Sequence, residues 1–221
     1  MKDIFHLHNF AFPYTDIRFP GMSREERILF VTRESDTMQK MQLVGLSIIC
    51  IFVFALGMLL LSLLQQIIPQ LGWGRWILAV LTGSIFLIGL WWITETHRKS
   101  LFIITTRRLT KIIYTTPFTW YQFSLGLDEI EDTGSYSSSY FEALFGLGYF
   151  VARSGAAAIK NFKIVNITFA QDLHNYVNKL LYVFKHHPNK INQFRPFIPY
   201  MKGEARERLF EKYSEYKTEF E

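Results

Sequence analysis

The sequence predicts a membrane-anchored protein: a hairpin of two transmembrane α-helices, a small β-barrel or sandwich closed by one C-terminal α-helix, and a charged helical tail. Three observations carry this reading. No formally charged residue occurs between Lys40 and Arg75, an interval longer than the ~20 apolar residues a membrane helix needs. From Ser100 the hydrophobic pattern breaks into short runs rich in β-branched and aromatic residues, the mark of strands. From Ala170 apolar residues recur at helical spacing.

Composition bounds the rest. A chain of 221 residues holds one to two domains. It is 49% hydrophobic and 17% aromatic, yet its 19% of charged residues is ordinary. The apolar residues are therefore concentrated in one block. A net charge of +5 fits a protein at a cytoplasmic membrane surface and is too mild to point to nucleic acid, which is not an expected partner. The single cysteine, Cys50, lies in the apolar block, so no internal disulfide or cysteine metal cluster is available.

The elements follow in order. Residues 1–40 form an N-terminal segment with the aromatic start MKDIFHLHNFAFPYTDIRFP. Residues 41–95 form the hairpin. Its first span is Leu43–Leu64 and its second Trp76–Thr94, joined by QQIIPQLGWG, where Pro69, Gly72 and Gly74 supply turn chemistry. Trp76 and Trp92 stand about 24 Å apart along a helix. With Trp73 and Trp91 they are the expected membrane-interface anchors. Ala79 and Gly83 form a small-xxx-small pair that would let the helices approach closely. The first run starts too far into the chain, behind a mixed-charge segment, to be a cleaved signal peptide. Neither run has the polar stripe of a soluble core helix. Arg24, Arg27, Arg33 and Lys40 precede the hairpin, Arg98, Lys99, Arg107, Arg108 and Lys111 follow it, and the loop offers only Arg75. The positive-inside rule then puts both termini in the cytoplasm.

Residues 96–187 are the expected β-rich domain. SLFIITT and RLTKIIYTT flank a basic turn, TWYQFSL and LDEIEDTGSYSSS follow, and LGYFVARSG and KNFKIVNIT are separated by small residues from Gly155 to Ala158. In AQDLHNYVNKLLYVFKHH, Leu173, Tyr176, Val177, Leu180, Leu181 and Phe184 mark one face of a helix ending before Pro188. Residues 188–221 read as a linker with three prolines, then a helix with a narrow stripe of Leu209, Tyr213, Tyr216 and Phe220. Its Glu204 and Arg208 are an attractive i,i+4 pair.

With these elements in place, the chain resembles the bacterial membrane-bound pleckstrin-homology-like (PH-like) family, a two-helix hairpin followed by a PH-like domain. The resemblance covers roughly residues 21–186. It rests on GMSREERILFVTRESD before the first span, on the turn Thr105, Thr106, Arg107 and Arg108, on LDEIEDT, and on Gly146 and Gly148 at the entry to a later strand. It implies a PH-like fold and a place in the bacterial plasma membrane.

Candidates for chemistry are few. His6 and His8 have no third ligand nearby. His186 and His187 end a helix, where positive charge suits the dipole. The acidic cluster Asp128, Glu129, Glu131 and Asp132 lacks the spacing and glycine of a calcium loop. The Gly146–Gly148 pair has neither the third glycine nor the following helix of a dinucleotide site, and reads as close packing. No cofactor or metal is expected, and no catalytic set. The remaining site is the basic group Arg98, Lys99, Arg107, Arg108 and Lys111 just past the membrane exit. Beside an anionic leaflet each contributes on the order of 1 kcal/mol of attraction. The plainer readings are that they set orientation, or that one arginine of the turn serves packing. The expected function is a non-enzymatic scaffold or accessory subunit at the cytoplasmic face. Its partners would be the bilayer and another membrane protein or a second copy. The alternative is a regulator that recognises anionic lipid head groups.

Overall fold

The computed structural model describes residues 2–3, 17–137, 140, 144–155, 161–199 and 203–212. His6, His8, the small residues after Gly155 and the tail aromatics Tyr213, Tyr216 and Phe220 lie outside them.

Two short strands, β1 (Lys2–Asp3) and β2 (Ile17–Arg18), pair in parallel. β3 (Ile28–Thr32) precedes the hairpin, whose helices are α1 (Asp36–Ile67) and α2 (Gly74–Lys99). Both helices outrun the apolar stretches. Ser35 caps α1, its Oγ accepting from the Thr37 amide at 3.2 Å, with Asp36 in the first turn. α2 continues through His97, Arg98 and Lys99, charges suited to a helix C-terminus.

Each helix is long and apolar enough to cross a membrane, and only 6% of its most apolar window is buried inside the structure. The chain itself leaves these side chains uncovered. Hydroxyls within the spans bond back to their own helix: Ser47 donates to the Leu43 carbonyl at 2.9 Å and Thr94 to that of Leu90 at 2.8 Å. The helices meet where glycine makes room. A Cβ at Gly57 would fall 2.7 Å from the Leu78 side chain, and one at Gly89 would fall 2.9 Å from Leu46. Gly83 has open space instead. The helices therefore come close at Gly57 and Gly89, which face leucines of the opposite helix, and not at the expected Gly83.

The rest forms two antiparallel sheets. The first has the order β3-β4-β5-β6, with β4 (Leu101–Thr105), β5 (Arg108–Tyr114) and β6 (Trp120–Gly126). The second is β7 (Ile130–Tyr136), β8 (Gly148–Ser154) and β9 (Phe162–Ile167). These are two sheets, not a closed barrel. The six strands expected after the hairpin all form. The segment before it supplies a further one, since β3 pairs with β4 from Ile28 opposite Thr105 to Thr32 opposite Phe102. The hairpin thus leaves the sheet from one strand and returns into its neighbour.

Strand β4 is buried throughout. Phe102 and Ile104 face the core shared with the second sheet, while Leu101 and Ile103 pack with Phe19, Ile28, Val31 and Ile112 on the other face. Coverage on both faces explains why LFIIT is a continuous apolar run. Helix α3 (Ala170–His186) closes the main core with Leu173, Val177 and Leu180, all fully buried.

The stretch after Pro188, expected as a linker, is packed. A short 3-10 turn (Pro188–Gln193) leads to Phe194 and Phe197, which are buried. The rings of Tyr176 and Phe197 lie 5.0 Å apart, and those of Phe30 and Phe197 4.9 Å. The Phe197 amide donates to the Leu29 carbonyl at 3.0 Å, which covers the free edge of β3. Prolines kept this stretch out of a helix, and its two phenylalanines bind it to the core. Beyond it, α4 (Glu204–Lys212) is a short charged helix with the Glu204–Arg208 pair at 3.2 Å.

Candidate functional site

Strand direction divides the basic group. The pairing of Leu101 with Ile112, and of Thr32 with Phe102, puts those residues at the helix end of the sheet. The β4–β5 turn with Arg107 and Arg108 lies at the other end, about 13–17 Å along the strand at 3.3 Å per residue. Arg98 and Lys99 stand at the C-terminal end of α2, and Lys111, opposite Phe102, lies near the same end of the sheet. Arg98 and Lys99 both pair with Glu95, each at 2.9 Å.

At the far end, the segments on either side of the hairpin meet. Glu26 comes from the segment before the hairpin, and Thr105 and Arg108 come from the turn after it. The Arg108 guanidinium grips the Glu26 carboxylate with two bonds, Nε to Oε1 and Nη2 to Oε2, both 3.0 Å. Thr105 Oγ1 donates to Oε1 at 2.7 Å and the Ser23 amide to Oε2 at 3.0 Å. Arg108 also reaches the Gly21 carbonyl and lies 5.5 Å from the centre of the Phe19 ring. Burial pushes the Glu26 carboxyl up, but the bonds from Arg108, Thr105 and Ser23 outweigh it, and the net direction is down. Arg107 is more exposed and pairs with Glu25 at the surface. Arg108 is thus committed to packing.

Lys111 sits on the core-facing side of β5, between Leu109 and Ile113 in the alternation. Its Nζ lies 5.4 Å from the Phe123 ring centre and 5.9 Å from that of Phe162. Burial lowers its pKa. No carboxylate among the described residues pairs with it.

At the helix end, contacts between elements lock the hairpin to both sheets. Asn166 adopts φ 58°, in the left-handed region. Its carbonyl accepts from the Ser35 amide at 2.9 Å, and its side chain bonds to Glu34. Burial holds the Glu34 carboxyl above its usual value despite that bond. His97 Nε2 lies 3.2 Å from the Glu34 carbonyl, joining the end of α2 to the start of α1.

The same end carries two of the expected anchors, Trp91 and Trp92, and beside them Phe118 and Trp120, which the sequence reading did not assign to a site. Trp91 of α2 meets Phe118 of the β5–β6 connection, ring centres 6.0 Å apart. Trp91 and Trp92 are 47% and 39% exposed, whereas Trp73 and Trp76, at the opposite end of the hairpin, are 65% and 77% exposed. The sequence signal for the connection was available: no charged residue occurs between Lys111 and Asp128. A second group of exposed large side chains, Tyr140, Leu144 and Phe145, lies in the β7–β8 connection.

The other candidates have structural explanations. Asp132 pairs with Arg153 at 3.5 Å on the surface. Gly146 has φ 62°, and a Cβ on Gly148 would fall 3.0 Å from the Tyr136 carbonyl and 3.2 Å from Ala170. His186 stacks on Tyr182 at 4.4 Å. Among the described residues, no three His, Cys, Asp or Glu side chains are grouped to hold a metal.

These features define a class in coarse terms: a helical hairpin long and apolar enough to cross a membrane, set between neighbouring strands of a two-sheet domain. Protein-family models, curated proteins and solved structures were all compared with the chain, and none matches.

Proposed function

We propose that the chain is a non-enzymatic, membrane-anchored interaction module of the bacterial PH-like kind. Its two helices cross the plasma membrane, and its sheet domain stands at the cytoplasmic face as a scaffold or accessory subunit of a membrane assembly. Supporting the PH-like assignment are the order of a four-stranded sheet, a three-stranded sheet and a closing helix, and the meeting of Glu26 with Thr105 and Arg108.

One observation carries the functional reading: the hairpin is inserted between hydrogen-bonded neighbours β3 and β4. A domain tethered by one flexible linker samples many orientations, whereas one held at both helix ends does not. Such a domain presents a constant surface to a membrane partner, and the exposed Tyr140, Leu144 and Phe145 suit that contact. The alternative, recognition of anionic head groups by Arg98, Lys99, Arg107, Arg108 and Lys111, is less favoured, because all but Lys111 pair with carboxylates.

Extraction in mild detergent tests this. The full chain is expected in the membrane fraction with a stoichiometric partner, which Leu144→Asp with Phe145→Asp releases. Recovery of a bare monomer in every extraction would count against the module. Truncation after Pro188 is no substitute, since it removes Phe194 and Phe197 from the core.

A further inference from the structure

We infer that the tip of the β5–β6 hairpin is a membrane-inserting wedge, a third contact with the bilayer besides the two helices. This rests on the spanning reading above. The tip extends past the edge of the sheet: Tyr114 pairs with Trp120 beyond the last β4–β5 pair, and residues 115–119 continue toward α2. There Lys99 Nζ donates to the Pro117 carbonyl at 3.3 Å and Phe118 meets Trp91. Trp91 is eight residues before Lys99, about 12 Å back along the helix, and belongs to the charge-free run Trp76–Thr94. Wherever that run enters the lipid, Phe118 enters beside it.

The tip is chemically suited to that place. Phe118 is 77% exposed and Trp120 52%, so neither is covered by the chain. Trp120, an aromatic ring with a polar N–H, suits the head-group layer, and the wholly apolar Phe118 suits the lipid beside it. Backbone donors are the usual obstacle to inserting a turn into lipid, and here each is taken up. The amides of Thr115 and Thr116 donate to the Thr119 carbonyl at 3.1 and 3.3 Å. Those of Phe118 and Thr119 donate to Thr116 Oγ1 at 3.2 and 2.9 Å. Pro117 has none to satisfy. The occupant of this surface is therefore lipid, by continuity with the apolar face of α2. With the tip anchored, the sheet domain cannot tilt away from the bilayer plane.

The test uses the full chain in lipid nanodiscs, with the buried Cys50 replaced by serine. Spin labels go singly at Phe118→Cys, Trp120→Cys, Leu56→Cys in the middle of α1, and Tyr182→Cys, an exposed position on α3. Collision with oxygen and with a water-soluble nickel chelate is then measured. The ratio of oxygen to nickel collisions at positions 118 and 120 is expected to be severalfold above that at position 182. Labels at 118 and 120 as open to nickel as the one at 182 would overturn the wedge, and so would shielding from both reagents, which marks a protein contact. The label at 56 separates the two readings. If it is deep while the tip is aqueous, only the wedge fails; if it too meets nickel, the spanning reading fails and takes the wedge with it.

Discussion

At the end of the four-stranded sheet remote from the helices, a buried carboxylate is gripped by an arginine, a threonine and a backbone amide. At the end beside the helices, Phe118 and Trp120 stand exposed and the turn satisfies its own donors. Hydrogen-bonded charge holds the first end together, and the second is built to meet a surface the chain does not contain. Charges clustered in sequence therefore do not make a patch. Lys99 and Arg108 are nine residues apart, but a strand that carries the chain away from the helices assigns them to opposite ends.

The sharpest way to break this contrast is at Glu26. Arg108→Ala leaves its buried carboxylate without its charged partner and is expected to cost about 3 kcal/mol, read as a lower Tm of the full chain in detergent. A loss of only a few tenths would show that the far end does not depend on the pair.

The hairpin gives the next effect. Gly57→Val drives a side chain into Leu78 and is expected to cost about 1–2 kcal/mol, while Gly83→Val points into open space and leaves Tm unchanged. Equal effects would refute the helix packing described here.

A smaller signal lies in pH. The folded state holds the Glu26 carboxyl below its ordinary value, so its contribution is fully present above the unfolded pKa of about 4.3. It is lost as pH falls through the lower folded value. Tm of Glu26→Gln should fall below that of the parent protein at neutral pH, and the gap should close on acidification below pH ~4. Glu34, raised by burial, carries the opposite sign. Its stabilisation is present below the unfolded value and is lost as pH rises through the folded one, so Glu34→Gln should raise Tm at neutral pH.

The least effect is expected at Arg107→Ala. Its pair with Glu25 is half open to solvent on the arginine side and 77% exposed on the other, and such pairs contribute less than about 1 kcal/mol. A Tm shift as large as that of Arg108→Ala would erase the distinction between the two arginines.

Much of the architecture was legible in the residues. Strands β4 to β9 lie where short runs of β-branched and aromatic residues place them, and helix α3 where apolar residues recur at helical spacing, because each element's burial shapes its local composition. The strand ILFVT before the hairpin was not assigned, since its partner is seventy or more residues away and no local pattern reveals pairing. The role of Phe194 and Phe197 was hidden for the same reason. Prolines nearby mark the absence of a helix, and they are silent on whether the chain leaves the core. Arg107 and Arg108 could be counted from the sequence, yet which of them faces a buried acid depends on a turn closing over Glu26.

By itself, the sequence determined that two long apolar helices stand beside a β-rich body, because hydrophobic length and period are local properties of the chain. Only the tertiary structure decided that the hairpin is inserted between adjacent strands, which charges hold the fold, and which aromatic residues stay exposed. Those outcomes depend on contacts between segments far apart in the chain, and such contacts leave no period behind.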